Sequence, residues 1–227
     1  MREIITIVTT AGRPDELSMA LAAFACKELG ATFEPRNKRS IRKMSQELQA
    51  HVMVAGKHRY DYYAYGAHEP FFFHPNSAAF RLKRVARGER EPFLEATQLQ
   101  QGDMVLDCTL GLAADAMLAA YAVGATGRVV GLEVNANVAF IVKQGMQAYN
   151  ISELPLTACM RQIEVVQKEA VHYLQALPDQ SFDVVYMDPM FEETIEEANN
   201  FQALRQAGEH MTLTNQWVVE AKRGARK

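Results

Sequence analysis

From Met104 onward the apolar positions follow two periods in turn. Short β-branched apolar runs predict strands at 104–107, 128–133, 163–166, 182–187 and 215–221. Apolar residues recurring every three or four positions predict helices at about 113–123, 136–147, 169–176 and 193–210. The strand segments are of the mostly apolar, buried type expected of strands covered on both faces, so the alternation predicts an α/β domain with a doubly wound, mostly parallel sheet. Right-handed crossovers then gather the carboxyl ends of the strands on one edge, where ligands bind in such sheets.

The first third of the chain reads differently. A strand from Ile4 to Thr9 leads through Thr10–Pro14 into a helix capped by Asp15, with Leu17, Ala20, Leu21 and Phe24 at helical spacing and Gly30 as its stop. No Lys-Ser/Thr follows Gly12, so this is a plain β-α unit rather than a phosphate loop. A helix spans Met44 to Gln49. The runs His51–Ala55, Arg59–Tyr65 and Pro70–Phe73, punctuated by Gly56 and Gly66, predict a small antiparallel meander. Its aromatic residues fit sheet packing first and stacking on exposed bases second. Asn76 or Ser77 then caps a helix through Ala86, and a short helix, Phe93–Leu99, precedes the turn at 100–103. The predicted division is an N-terminal α/β region, 1–75, and a larger domain, 76–227.

Composition narrows the function classes. With 227 residues, 48% hydrophobic, the chain can bury one sizeable core plus an appendage. No apolar run approaches the roughly 20 residues needed to span a bilayer, so no membrane role is expected. The start, Met1–Val8, reads as a strand and not as a signal peptide. Three scattered cysteines and six scattered histidines form neither a disulfide framework nor a metal-ligand pattern, so the expectation is a metal-free protein of a reducing cytoplasm.

The net charge of −3 hides an asymmetry: residues 1–90 hold 15 Lys/Arg against 9 Asp/Glu, and the remainder is acidic. The basic residues cluster as Arg36, Lys38, Arg39, Arg42 and Lys43, then as Arg81, Arg84 and Arg87 on one predicted helix. Either cluster could contact nucleic-acid phosphates, or be ordinary solvated charge.

Four acids, Asp107, Glu133, Glu169 and Asp188, fall at or just beyond successive predicted strand ends. Asp107 opens a strand–loop–helix junction, Asp107-Cys108-Thr109-Leu110-Gly111-Leu112-Ala113-Ala114-Asp115-Ala116, in which Gly111 permits close backbone approach to a ligand. Glu133, 26 residues on, ends the second strand, where an acid commonly takes a ribose diol. A nicotinamide dehydrogenase would need the three-glycine fingerprint, which Gly-Leu-Ala lacks. The fourth strand ends in Met187-Asp188-Pro189-Met190-Phe191: a carboxylate, a proline that ends the strand, and an aromatic able to stack on a base.

On these motifs the chain resembles class I S-adenosylmethionine-dependent methyltransferases. Within that class it is similar to the family that includes the bacterial small-subunit ribosomal RNA guanine-N2 methyltransferase, in order over about residues 74–223. The resemblance implies a Rossmann-like fold with S-adenosyl-L-methionine as cofactor. Asp107, Thr109, Gly111 and Asp115 would border the methionine moiety, Glu133 and Val134 the ribose, and Glu169 and Ala170 the adenine. Asp188, Pro189 and Phe191 would hold the target. Three departures stand out: Ala113 replaces a glycine, tolerable if its φ is negative; Met190 replaces a second proline; and the chain ends after a predicted fifth strand, 216–221, so two strands of the usual seven would be missing. The function expected from the motifs is methylation of an exocyclic base amine of RNA; the alternatives are methylation of a protein carboxylate or a small molecule, and an S-adenosylmethionine-binding protein that recognises RNA without catalysis.

Overall fold

The computed structural model describes residues 4–150, 155–189 and 214–226. The predicted helix at 193–210 lies outside them. The chain divides into two compact units. One comprises the residues through Phe73 together with 136–148, and the other comprises 74–135, the described residues of 149–189 and the C-terminal helix.

In the first unit, β1 (Thr6–Thr10), β2 (Thr32–Phe33), β3 (His51–Ala55) and β4 (Tyr60–Tyr63) form a sheet in the order β2-β1-β3-β4. Helix α1 (Glu16–Leu29) begins as predicted: the Asp15 carboxylate accepts from Ser18 N–H at 2.9 Å, the Ser18 hydroxyl accepts from Asp15 N–H at 2.8 Å, and Gly30 ends the helix in the left-handed conformation. Helix α2 (Ile41–Leu48) starts at Ser40, and its Met44 joins Ile7, Ala50, Val52 and Val54 in a buried cluster. The expected antiparallel meander is corrected. β3 pairs antiparallel with β4 but parallel with β1, and the third run contributes only a bridge between Tyr62 and Phe71. Four of the five β3 residues are buried, which marks an interior strand of a mixed sheet.

The second unit begins with α3 (Asn76–Ala86) and α4 (Pro92–Thr97). Pro75, and not Asn76 or Ser77, occupies the cap position of α3, and no side chain caps it. Strands β5 (Met104–Asp107), β6 (Arg128–Glu133), β7 (Ile163–Gln167) and β8 (Val184–Tyr186) then form an all-parallel sheet in the order β7-β6-β5-β8. The order reverses at β5, so the crevice beyond β5 and β8 is a switch point of the kind that receives ligands. Helix α5 (Ala114–Val123) is buried nearly all round and packs on β5, β6 and β7. Helix α7 (Leu156–Gln162), absent from the sequence expectation, packs against α5, while α6 (Ala136–Ala148) belongs to the first unit and packs on α1 and β4.

The other face is covered by α8 (Ala170–Gln175) and by α9 (Asn215–Gly224), whose Trp217 and Ala221 join Leu106, Val130, Leu132 and Leu174 in one core. The predicted strand at 215–221 is therefore a helix. Trp217, Ala221 and Gly224 are buried at helical spacing, while Val218 and Val219 are 42% and 62% exposed. The run Trp-Val-Val looked like a strand because short apolar runs carry little periodicity. Among the described residues no helix is long and apolar enough to cross a membrane.

Candidate active site

Asp107 ends β5 with its side chain buried, 3% exposed. Its Oδ1 accepts from Thr109 N–H at 3.0 Å. Burial, reinforced by the charges of Asp115 and Asp188, pushes its carboxyl up to about 7, although hydrogen bonds from Thr109 partly oppose the shift. The following loop turns sharply. Gly111 has φ 48° and Ala113 has φ 61°, with Ala113 N–H donating to Leu110 O at 2.7 Å. The condition attached to Ala113, a negative φ, is thus not met. A non-glycine residue in this conformation costs about 1–2 kcal/mol, borne here by a small, fully buried side chain at the start of α5. Leu110 lies over β6, its N–H donating to Leu132 O at 3.0 Å, and a Cβ on Gly131 would collide with the Leu110 side chain. Gly131 was not singled out from sequence, yet a glycine inside a strand signals this kind of close approach.

The neighbouring strand ends supply the other acids. Glu133 closes β6 and its Oε1 accepts from Asn135 N–H at 2.9 Å; Val134 O accepts from the Gln167 amide, also at 2.9 Å. Glu169 caps α8, accepting from Val171 N–H at 3.1 Å and His172 N–H at 2.8 Å, and Ala170 is buried behind it. Beyond β8, Asp188 N–H donates to Thr109 Oγ1 at 2.8 Å. Burial raises the Asp188 carboxyl pKa, with Asp115 adding to the shift and a hydrogen bond from Tyr186 opposing it. The Tyr186 ring meets Phe93 edge-on, with centroids 4.9 Å apart. Pro189 is buried, and Phe191 lies outside the described residues. The fold therefore brings Asp107, Thr109, Asp115 and Asp188 together around one crevice, with Glu133 and Glu169 at the adjoining strand ends.

Arg81 faces this acidic cluster. Its guanidinium bonds Asp115 Oδ1 at 2.7 Å and Glu91 Oε1 at 2.6 and 3.2 Å, and Glu91 is only 5% exposed. Its charge also bears on Asp188 and Tyr186. Arg81 is thus engaged inward, contrary to its expected place on a phosphate-facing flank. Arg84 pairs with Glu89, and Lys43 and Arg39 with Glu47. Arg36 and Arg39 each donate to the other's main-chain carbonyl, closing a turn through Asn37 and Lys38, both at positive φ. Lys38, Arg42 and Arg87 are exposed and belong to none of the ion pairs found among the described residues.

Residues 71–207 match the family described as "Putative SAM-dependent methyltransferase". The chain belongs to this S-adenosylmethionine-dependent methyltransferase family. A relative in Bacillus subtilis (strain 168), described as uncharacterized protein YpiP, is 41% identical over 222 residues, covering 97% of this chain and 86% of its own. Ribosomal RNA small subunit methyltransferase J of Acinetobacter baumannii (strain AYE) is 28% identical over 142 residues, covering 62% of this methyltransferase and 49% of that enzyme, so the match spans about half its length. Among solved structures, an S-adenosylmethionine-dependent methyltransferase from Neisseria gonorrhoeae aligns with TM-score 0.50 at 16% identity, over 82% of this chain and 69% of that one, a likeness of fold. The protein is a methyltransferase with a Rossmann-like α/β fold, and S-adenosylmethionine is its cofactor.

Proposed function

We propose that this methyltransferase acts on an exocyclic base amine of RNA, in the manner of a guanine-N2 enzyme, with Asp188, Pro189 and Phe191 holding the target. The observation that carries the proposal is the acidic character of the crevice: Asp188 lies beside Asp115, and both its raised pKa and its neighbours favour a group that donates hydrogen bonds. A carboxylate substrate would meet like charge there, which disfavours the protein-carboxylate alternative. The partial likeness to a ribosomal RNA methyltransferase agrees with an RNA substrate.

The residues also fit the cofactor. A buried carboxylate held near neutrality, as Asp107 is, gains from a cationic or hydroxyl-bearing ligand, and S-adenosylmethionine brings an ammonium, a sulfonium and a ribose diol. Asp107, Thr109, Gly111 and Asp115 would border the methionine portion, Glu133 and Val134 the ribose, and Glu169 with Ala170 the adenine. Because both Glu169 oxygens are taken by α8 amides, its part there would be to shape the wall. When bound, the cofactor supplies an already activated methyl group. The protein's task is then to aim the target nitrogen: Asp188 accepts one amine hydrogen, and its raised pKa suits it to take the proton the amine releases on methylation.

The test is transfer of tritiated methyl from S-adenosylmethionine to ribosomal RNA from cells lacking the gene, followed by nucleoside mass spectrometry. Asp188→Ala should reduce transfer by about 100-fold or more while calorimetric cofactor affinity stays within about threefold. Methyl on protein carboxylates with none on RNA would overturn the substrate assignment.

A further inference from the structure

Thr109 occupies an unusual place between the two loops of the crevice. Its main-chain N–H donates to Asp107 Oδ1 at the end of β5, and its Oγ1 accepts the main-chain N–H of Asp188 beyond β8, 79 residues away in sequence. The two strands are neighbours, with Asp107 opposite Tyr186, and a second link ties the same loops through Cys108 N–H and Tyr186 O at 2.9 Å. The hydroxyl accepts from Asp188 N–H while the main chain of the same residue donates to the Asp107 carboxylate, so Thr109 is held at both ends. It joins the loop that borders the cofactor to the loop that would hold the target.

We propose that Thr109 is a positioning residue for methyl transfer, fixing the Asp188 backbone against the cofactor loop through its hydroxyl. The step depends on the reading above that Asp188 holds the target. Pro189 restrains the chain on one side of Asp188, since the residue before proline is held in extended conformations and proline fixes its own φ. The Thr109 hydroxyl restrains the N–H on the other side. Together they set where the Asp188 carboxylate and carbonyl point, and a misplacement of about 1 Å can cost about 100-fold in rate. Valine has the shape of threonine without the hydroxyl, so Thr109→Val isolates the hydrogen bonds, and serine restores the hydroxyl without the methyl group.

Two readouts separate this proposal from the substrate assignment. The first is residue-resolved amide hydrogen exchange by NMR, which needs no substrate. In Thr109→Val the Asp188 amide should exchange about tenfold faster or more, while the amides of Cys108 and Leu110, bonded to other main-chain carbonyls, keep their protection; Thr109→Ser should restore Asp188 protection to within about threefold. The second is single-turnover methyl transfer to unmodified ribosomal RNA at saturating S-adenosylmethionine. With the cofactor saturating for each variant, Thr109→Val should lower the rate about tenfold or more, and serine should recover most of it. Thr109→Ala serves in place of valine if that variant does not fold. Unchanged Asp188 exchange in the hydroxyl-free variants, or equal losses in serine and valine, would overturn the positioning role. If the wild-type enzyme methylates no RNA, the substrate assignment fails, and exchange at Asp188 still decides whether the Thr109 link exists.

Discussion

At the scale of single residues, the acids of the crevice are kept at a cost to the fold. Asp107 has its carboxyl pushed up to about 7, against 3.8 for an unperturbed aspartate. Between these values the folded chain holds a proton that the unfolded chain has lost, so stability falls as pH rises through this window, and the loss is complete above about 7. Asp107→Asn should therefore gain stability over wild type as pH rises from 4 to 8, by about 4 kcal/mol at most, in urea unfolding at each pH. The same variant should bind S-adenosylmethionine more weakly. A constant difference across that range would show that Asp107 titrates normally. Arg81 presents the opposite case. Removing it leaves the nearly buried Glu91 without its guanidinium, so Arg81→Ala should lose about 3 kcal/mol, while Arg84→Ala, whose pair with Glu89 is exposed, should lose less than about 1 kcal/mol. Equal losses in thermal unfolding would remove Arg81 from its place as the partner of Glu91.

At the scale of elements, local signals were legible where an element carries its own boundaries. Asp15, Ser18 and Gly30 mark both ends of α1 within the helix and its flanks, so sequence located it closely. Helix α9 carries weaker signals: Thr214 stands at its N-cap and Lys222 and Arg223 in its last turn, but no side chain caps it. What makes it a helix is the stripe of Trp217, Ala221 and Gly224 set against α8 and β8. Trp217→Ala should therefore lose about 3–5 kcal/mol, while Val219→Ala should change stability by less than about 0.5 kcal/mol. Comparable losses at the two positions in denaturant titration would contradict the helical face.

At the scale of the whole molecule, the basic N-terminal part is less available than its charge count implied. Arg36 and Arg39 close their own turn, Lys43 pairs with Glu47, and Arg81 serves the acidic crevice of its own unit. Lys38 and Arg42 remain exposed for a polyanion. If RNA is gripped there, joint replacement of Lys38 and Arg42 by Ala should weaken binding and flatten its log–log salt dependence by about 1 per residue removed. Unchanged affinity and slope in filter binding would leave both as solvated surface.

By itself the sequence determined the α/β alternation, the caps of α1, and the row of acids at strand ends, because each is written in contiguous residues and their periodicity. Tertiary structure decided which of those residues touch. Arg81 meets Asp115 across 34 residues and Thr109 meets the Asp188 backbone across 79. Ala113 takes a left-handed conformation in the loop that lays Leu110 against Gly131 of β6 and then enters α5. Such pairings depend on how strands order in a sheet, and no local pattern of apolar and polar residues contains that information.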